Sequence, residues 1–108
     1  MAKGYIIARV TVHDNDAYME YAKRARVAMA EYGARILVLG GKHESLQGDV
    51  RPRNVVLEFE SFDQAKAYYE SAGYQEARGF RTADGVSEGE FLLIEGFDGP
   101  QPGTDTAH

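Results

Sequence analysis

Tyrosine and arginine side chains recur in two parts of the sequence, where they could bind a small molecule. An arginine pairs with a carboxylate through parallel hydrogen bonds, and a tyrosine adds apolar area and a hydroxyl. One set, Tyr5, Arg9 and Arg35, falls on segments that we expect to be strands. The other set, Tyr74, Arg78 and Arg81, has the four- and three-residue spacing of one helix side. We predict that both sets bind a small anionic or aromatic ligand.

Glu58 is the residue that we expect to be catalytic. It shares a strand face with the first set, and partial burial would raise the pKa of its carboxyl group. A carboxylate with a raised pKa can serve as a general base. A structural interpretation stays open, in which Glu58 and the arginines form ion pairs at an interface and the tyrosines are ordinary core residues.

The remaining composition excludes several other kinds of site. The chain has no cysteine, and His13, His43 and His108 do not follow a metal-ligand spacing, so we predict neither a metal nor a cofactor. The net charge is −5 and the basic residues are dispersed, which argues against nucleic acid as a partner. The apolar run near the N-terminus is too short for a signal peptide or a membrane span. We therefore expect a cytoplasmic location and no membrane partner.

The elements that must position these residues follow the order β-α-β-β-α-(α)-β. Strands are predicted over 4–12, 34–39, 54–60 and 90–95, with a continuation of the second over 42–46. Helices are predicted over 17–32, 62–70 and 74–82; Asp14 is the expected N-cap of the first, and Ser61 with Gln64 has the capping-box spacing. This order predicts an α+β ferredoxin-like domain over residues 1–97 with a four-stranded antiparallel sheet. Residues 98–108 are expected to form a disordered tail.

Alternation along the strands assigns the side chains to two faces of that sheet. The face that meets the helices is expected to be wholly apolar; its residues are Ile6, Ala8, Val10, Val12, Ala34, Ile36, Val38, Val55, Leu57 and Phe59. The other face has no helix to cover it and carries an apolar patch of Ile7, Leu37, Leu39 and Val56. Such a patch is typical of an interface, so we predict a homodimer with the two sheets packed face to face. The last strand offers either Leu92 and Ile94 or Phe91, Leu93 and Glu95 to this face.

Several short segments resemble the DUF1330 family of the dimeric α/β-barrel superfamily. They are Gly4-Tyr5-Ile6-Ile7-Ala8, Asp14 with Tyr18 and Tyr21, Tyr32-Gly33-Ala34-Arg35, Gly40-Gly41, Gly48-Asp49 with Arg51-Pro52, 55–59, Ala65 with Tyr68-Tyr69, and Ser71 with Tyr74 and Arg81. Tyr68 stands where members of that family frequently have a tryptophan, so the resemblance implies a different side chain in a pocket wall at this position. The resemblance implies a ferredoxin-like fold and a barrel-forming dimer. It implies no particular reaction, although the superfamily includes cofactor-free monooxygenases, lactone isomerases and haem-handling enzymes.

Two functions agree with these features. The first is a cofactor-free enzyme or binder of a small anionic or aromatic molecule, in which an arginine anchors the ligand and Glu58 or a tyrosine transfers a proton. The alternative is a non-catalytic dimeric module with a regulatory or interaction role. That alternative requires an exposed apolar groove beyond the dimer interface.

Overall fold

Four strands and three helices make up the computed structural model, which describes residues 2–103. The strands are β1 (Gly4–Val12), β2 (Arg35–Leu39), β3 (Arg53–Phe59) and β4 (Ser87–Glu95). The helices are α1 (Asn15–Glu31), α2 (Phe62–Glu70) and α3 (Ala72–Thr82). The sheet order is β2-β3-β1-β4, and every neighbouring pair is antiparallel. The predicted ferredoxin-like fold is therefore confirmed.

The core lies between the helices and one face of the sheet. Ile6, Ala8 and Val10 of β1 are buried there, and so are Val55, Leu57 and Phe59 of the adjacent β3. These residues alternate with less buried ones, as the period of a strand covered on one face requires. The prediction for the helix-facing side of β1 and β3 is thus confirmed.

Side-chain caps begin each helix. The Asp14 carboxylate accepts a hydrogen bond from the Ala17 amide, and the Ser61 hydroxyl accepts one from the Gln64 amide. Only half of the predicted capping box forms, because the Gln64 side chain donates instead to the Tyr32 carbonyl oxygen. Ser71 both ends α2 and caps α3, so the two helices meet at this single residue.

A β-bulge in β2 corrects the predicted face of two residues. The register against β3 shifts between Ile36 and Val38, so that Val38 pairs with Val56 and Leu39 pairs with the buried Val55. Leu39 therefore lies on the helix side and Val38 on the uncovered face, which is the reverse of the prediction. The extra residue, Leu37, breaks the alternation on which that prediction depended.

The other strand boundaries differ less. β4 pairs Leu92 with Ile7 and Ile94 with Tyr5, which resolves its register and places both residues on the uncovered face. The strand predicted over 42–46 is wrong, because no helix or strand forms between β2 and β3. Residues 98–103 form no helix or strand either, and residues 104–108, with His108, lie outside the described residues, so the tail's disorder stays a prediction. None of the helices within residues 2–103 has the length and hydropathy to cross a membrane.

Candidate functional site

A cavity of about 160 Å³ lies between α1 and the helix-facing side of the sheet. Its floor is formed by apolar side chains of β1, β2 and β3, including Ile6, Ala8, Ile36 and Leu57. α1 can stand away from the strands here because it packs chiefly against α3. The alanines Ala25, Ala28 and Ala77 are fully or almost fully buried in this part of the core. The close approach of the two helices thus leaves room beneath α1.

The mouth of the cavity lies between α1 and the edge strand β2. Met19 and Arg26 of α1 line the cavity and are exposed, and Leu39 of β2 does so with 47% of its surface exposed. Leu39 reaches this position only because of the bulge in β2. The opening is therefore apolar with one cationic side chain.

A network of tyrosines bound to Arg81 forms the inner end. The Tyr21 and Tyr74 hydroxyl oxygens are 3.0 Å apart, and Arg81 Nε donates to the Tyr74 hydroxyl at 3.2 Å. Arg81 Nη2 donates to the Tyr69 hydroxyl at 2.9 Å, while the guanidinium carbon lies 3.7 Å from the centre of the Phe91 ring. Arg81 does not itself line the cavity. It holds in place the tyrosines that do.

The buried tyrosines around the cavity keep their protons at neutral pH. Burial raises the pKa of Tyr18, Tyr68 and Tyr74, and it raises the pKa of Tyr21 well above its usual value. Their hydroxyls are therefore hydrogen-bond donors rather than bases near pH 7. This wall suits a ligand that carries or develops negative charge.

Two buried polar atoms of residues that line the cavity have no hydrogen-bond partner within residues 2–103. They are the Tyr68 hydroxyl oxygen and Arg53 Nε, both of which are buried atoms. Tyr68 is only 1% exposed, and the Arg53 guanidinium carbon lies 5.2 Å from the centre of the Tyr18 ring. Buried polar groups are normally hydrogen-bonded, so two unpaired donors in residues that line one cavity make it the candidate site for a ligand with an acceptor.

The electrostatic character of the cavity is cationic. Arg26 and Arg53 line it, and no aspartate or glutamate does so among residues 2–103. Within the same residues neither Arg53 nor Arg81 forms an ion pair with a carboxylate. The protein as a whole has a net charge of −5, so the charge of the cavity wall is opposite in sign to the net charge of the chain.

The uncovered face of the sheet carries the other predicted set. The Tyr5 hydroxyl donates to Glu58 Oε2 at 2.9 Å, and Arg35 is the strand neighbour of Glu58 on the other side. The hydrogen bond to Glu58 raises the pKa of Tyr5, which therefore stays protonated. Arg9 lies between Asn54 and Glu90 on this face. Neither Arg9 nor Arg35 forms an ion pair within residues 2–103.

An ion-pair cluster closes one end of the uncovered face. Arg51 Nε donates to both Glu90 carboxylate oxygens at 3.0 and 3.1 Å, and Arg51 Nη1 donates to the Thr11 hydroxyl. The hydrogen bond from Arg51 lowers the pKa of Glu90, and the one from His13 lowers the pKa of Glu88. These contacts tie the loop that precedes β3 to β1 and β4.

The structure places the two predicted sets on opposite sides of the sheet. Tyr74 and Arg81 meet beside the cavity, while Arg78 is exposed and its Nε donates to the Tyr69 hydroxyl at 3.4 Å. Tyr5, Arg9, Arg35 and Glu58 lie on the uncovered face and share no pocket with Tyr74. The catalytic role of Glu58 stays a prediction.

Arg53, which lines the cavity and has an unpaired Nε, was not predicted as a site residue. Arg53 was expected in the loop before the strand predicted over 54–60, whereas β3 begins at Arg53, so nothing indicated that its Nε would be buried. Tyr68 was noted only as a wall residue, since a sequence does not reveal whether a hydroxyl finds a partner. No three histidine, aspartate or glutamate side chains within residues 2–103 lie close enough together to hold a metal ion.

A family comparison extends the sequence resemblance over almost the whole chain. Residues 3–97 match the model described as "Domain of unknown function (DUF1330)". The chain belongs to the DUF1330 family. No curated protein sequence matches this DUF1330 chain.

Solved structures share its fold at low sequence identity. A protein of unknown function from Rhodopseudomonas palustris is 14% identical, with a TM-score of 0.73 over 91% of this chain and 85% of the other. A dimeric ferredoxin-like protein of unknown function from Jannaschia sp. CCS1 is 17% identical, with a TM-score of 0.59 over 86% and 96%. SnoaB from Streptomyces nogalater, a cofactor-independent oxygenase, is 16% identical, with a TM-score of 0.56 over 97% and 100%. These similarities establish the ferredoxin-like fold.

Proposed function

We propose that this DUF1330 protein is a homodimer that binds a small anionic or aromatic molecule in the cavity beneath α1. The observation that carries the proposal is the pair of unpartnered buried donors, the Tyr68 hydroxyl and Arg53 Nε, in an otherwise apolar wall. A pocket of this kind gains affinity from the apolar wall and orientation from a few polar groups. Tyr74, held by Arg81, belongs to the same wall.

The chemistry that fits this wall is the stabilisation of negative charge on the ligand, in a cofactor-free reaction. Protonated tyrosines and an arginine in a water-poor site stabilise an oxyanion more strongly than water does. The relay from Arg81 through Tyr74 to Tyr21 fixes two of these hydroxyls before a ligand arrives. SnoaB is described as a cofactor-independent oxygenase, so the same fold carries cofactor-free chemistry in that protein.

A screen by thermal shift tests the binding proposal. Small aromatic, aliphatic and carboxylate compounds are added to the full chain at millimolar concentration, and the unfolding temperature is measured for each. We expect aromatic or anionic compounds to raise it, since a ligand that binds the native state stabilises that state. The same compounds should have a smaller effect on the Ala22→Leu variant, whose new side chain enters the cavity from α1. A screen in which no compound raises the unfolding temperature would contradict the proposal.

The dimer is proposed to form through the uncovered sheet face. Its apolar residues, as the bulge and the β4 register place them, are Ile7, Val38, Val56, Leu92 and Ile94. Leu92 and Ile94 are exposed by 51% and 44%, and a patch of this kind favours association. Arg9 and Arg35 would then pair with acidic residues across the interface. The Jannaschia protein with this fold is itself described as dimeric.

Light scattering at micromolar concentration tests the dimer. We expect twice the 11.9 kDa mass of the chain for the natural sequence. Val56→Glu should yield monomers, because it adds a charge in the middle of the face. Val27→Glu is the matched control, since Val27 is 64% exposed on α1 and lies outside the sheet. A natural protein that stays monomeric would refute this part of the proposal.

A further inference from the structure

We infer that the ligand of the cavity is a single-ring aromatic carboxylate, and that the Tyr68 hydroxyl selects it by donating a hydrogen bond to the carboxylate. This inference rests on the proposed function and specifies its ligand. It combines three observations on the cavity wall: its volume, its charge and the unpartnered hydroxyl.

The volume limits the ligand to about one ring. The cavity measures about 160 Å³. A cavity of about 150 Å³ in another protein holds one benzene molecule. The rings of Tyr18, Tyr69, Tyr74 and Phe91 line the space. Aromatic side chains offer their faces and edges to a bound ring, which favours an aromatic ligand over an aliphatic one of equal size. Two fused rings exceed the space unless α1 moves.

The charge of the wall requires an acceptor that is ionised at neutral pH. Arg53 carries a positive charge, and no acidic residue within residues 2–103 lines the cavity or pairs with that guanidinium. A carboxyl group has a pKa of about 4 and is ionised at pH 7, whereas a phenol has a pKa of about 10 and is not. A carboxylate also matches the planar guanidinium in shape. A carboxylate is ionised, planar and compact enough to share the space with a ring, so we assign it as the ligand's anionic group.

Tyr68 supplies the selecting group. Its ring packs between Phe59 and Tyr74, with ring centres 5.1 and 4.9 Å away, so the side chain has little freedom to move its hydroxyl elsewhere. The hydroxyl is buried and unpartnered, and burial keeps it protonated. A ligand with an acceptor at that point pairs this donor and gains a hydrogen bond, whereas a ligand without an acceptor leaves the donor unpaired as it is now. Tyr68 thus discriminates between a ring with a carboxylate and the same ring without one.

Titration calorimetry with three probes tests the inference on the natural protein. The probes are benzoate, its apolar analogue toluene, and the larger 2-naphthoate. We expect benzoate to bind at least about tenfold more tightly than toluene, as one charge-assisted hydrogen bond provides. We expect 2-naphthoate to bind more weakly than benzoate. Equal binding of benzoate and toluene would overturn the assignment of the carboxylate, and tighter binding of 2-naphthoate would overturn the assignment of one ring.

Variants assign the selection to individual residues. Tyr68→Phe should weaken benzoate binding by about 10- to 100-fold and leave toluene binding within about twofold. Tyr32→Phe is the matched control: its ring packs against Tyr68 at 6.3 Å, but it does not line the cavity. Arg53→Met is a second variant at a half-buried position, and it should likewise weaken benzoate binding and spare toluene binding.

The outcomes separate this inference from the proposed function. If none of the three probes binds, the inference is overturned, and if the thermal-shift screen also finds no ligand, the proposed function fails with it. If both bind and neither Tyr68→Phe nor Arg53→Met changes their ratio, the cavity remains a binding site and only the inference is overturned. If Tyr68→Phe does not fold, the Arg53→Met ratio decides in the same way.

Discussion

Filling the cavity beneath α1 should make the protein more stable and its ligand binding weaker. Ala22 lies in the cavity wall and is partly buried, so a leucine at this position directs its added carbons into the space. A cavity destabilises a fold by about 24 cal/mol per Å³. For a cavity of about 160 Å³ this gives an upper limit of about 4 kcal/mol. The mouth is open to solvent and leucine fills only part of the space, so we expect Ala22→Leu to stabilise the protein by about 1 kcal/mol.

Urea unfolding followed by circular dichroism measures this effect at a fixed protein concentration, because a dimer's stability depends on concentration. The matched control is Ala30→Leu, which makes the same change at an exposed position of α1 outside the cavity. The control should change the free energy of unfolding by less than about 0.5 kcal/mol. Benzoate should stabilise the natural protein and Ala30→Leu equally, and Ala22→Leu much less.

Two results would refute this reasoning. An Ala22→Leu protein less stable than the natural one by more than about 1 kcal/mol would mean that leucine is overpacked against the floor of the cavity. An Ala22→Leu protein that binds benzoate as tightly as the natural protein would mean that the ligand binds elsewhere. A stability gain together with a loss of binding would show that the space is kept at a cost in stability.

The remaining predictions concern the frame around the cavity. A Cβ atom at Gly4 would clash with the Ser61 carbonyl oxygen, so Gly4→Ala must displace the N-cap of α2 and should destabilise the protein by about 2–4 kcal/mol in urea unfolding. Gly73→Ala is its control, because a Cβ atom at Gly73 would have the Ala28 Cβ as its nearest neighbour at 3.7 Å. The stability of this variant should stay within about 1 kcal/mol of the natural protein. An equal loss of stability in both variants would contradict the explanation by a clash at Gly4. The buried tyrosines have raised pKa values in the folded protein, so their protonated form favours folding. This contribution to stability is fully present below the unfolded pKa of about 10 and is lost as the pH rises from there through the folded pKa values. Absorbance at 295 nm should therefore show these phenols ionising together with unfolding above pH 10, and their ionisation in a still folded protein would disprove this linkage.

Most of the fold could be predicted because strand alternation and helix capping depend on residues that are close together in the sequence. Ile6, Ala8 and Val10 alternate with a mixed set that includes Arg9 and Thr11, which identifies both the strand and its buried face. Asp14 and Ser61 act as caps through amides only three residues away, which is a relation the sequence displays directly. Such features were predicted because their cause and effect lie within one turn or one strand.

The β2 bulge escaped prediction for a physical reason. Ile36, Leu37, Val38 and Leu39 are all aliphatic, so a shift of one residue leaves the hydrophobic pattern unchanged. Arg35 precedes the bulge, and its charge indicates which residues point to the uncovered face. No polar residue follows in the strand, so the pattern does not show which face the later residues point to. Only the pairing with β3 reveals the reversal.

The candidate site was predicted in part. Tyr74 and Arg81 were recognised from their helical spacing, and the structure brings them together. Arg53 and the unpartnered Tyr68 hydroxyl were not recognised, because whether a polar atom is paired depends on contacts between α1, α2 and β3. Those contacts bring α1 against β3 and α2, which follow it only later in the sequence.

The extra residue in β2 also decides which surface each later residue of the strand reaches. Deleting Leu37 would restore simple alternation and keep Val38 opposite Val56 and Leu39 opposite Val55. Keeping Leu37 in a regular strand would instead exchange the faces of Val38 and Leu39, so that the rim of the cavity and the uncovered sheet face would change together. A relative with a gap of one residue at this point therefore keeps both surfaces, whereas a relative of equal length without the bulge alters ligand access and self-association in a single evolutionary step.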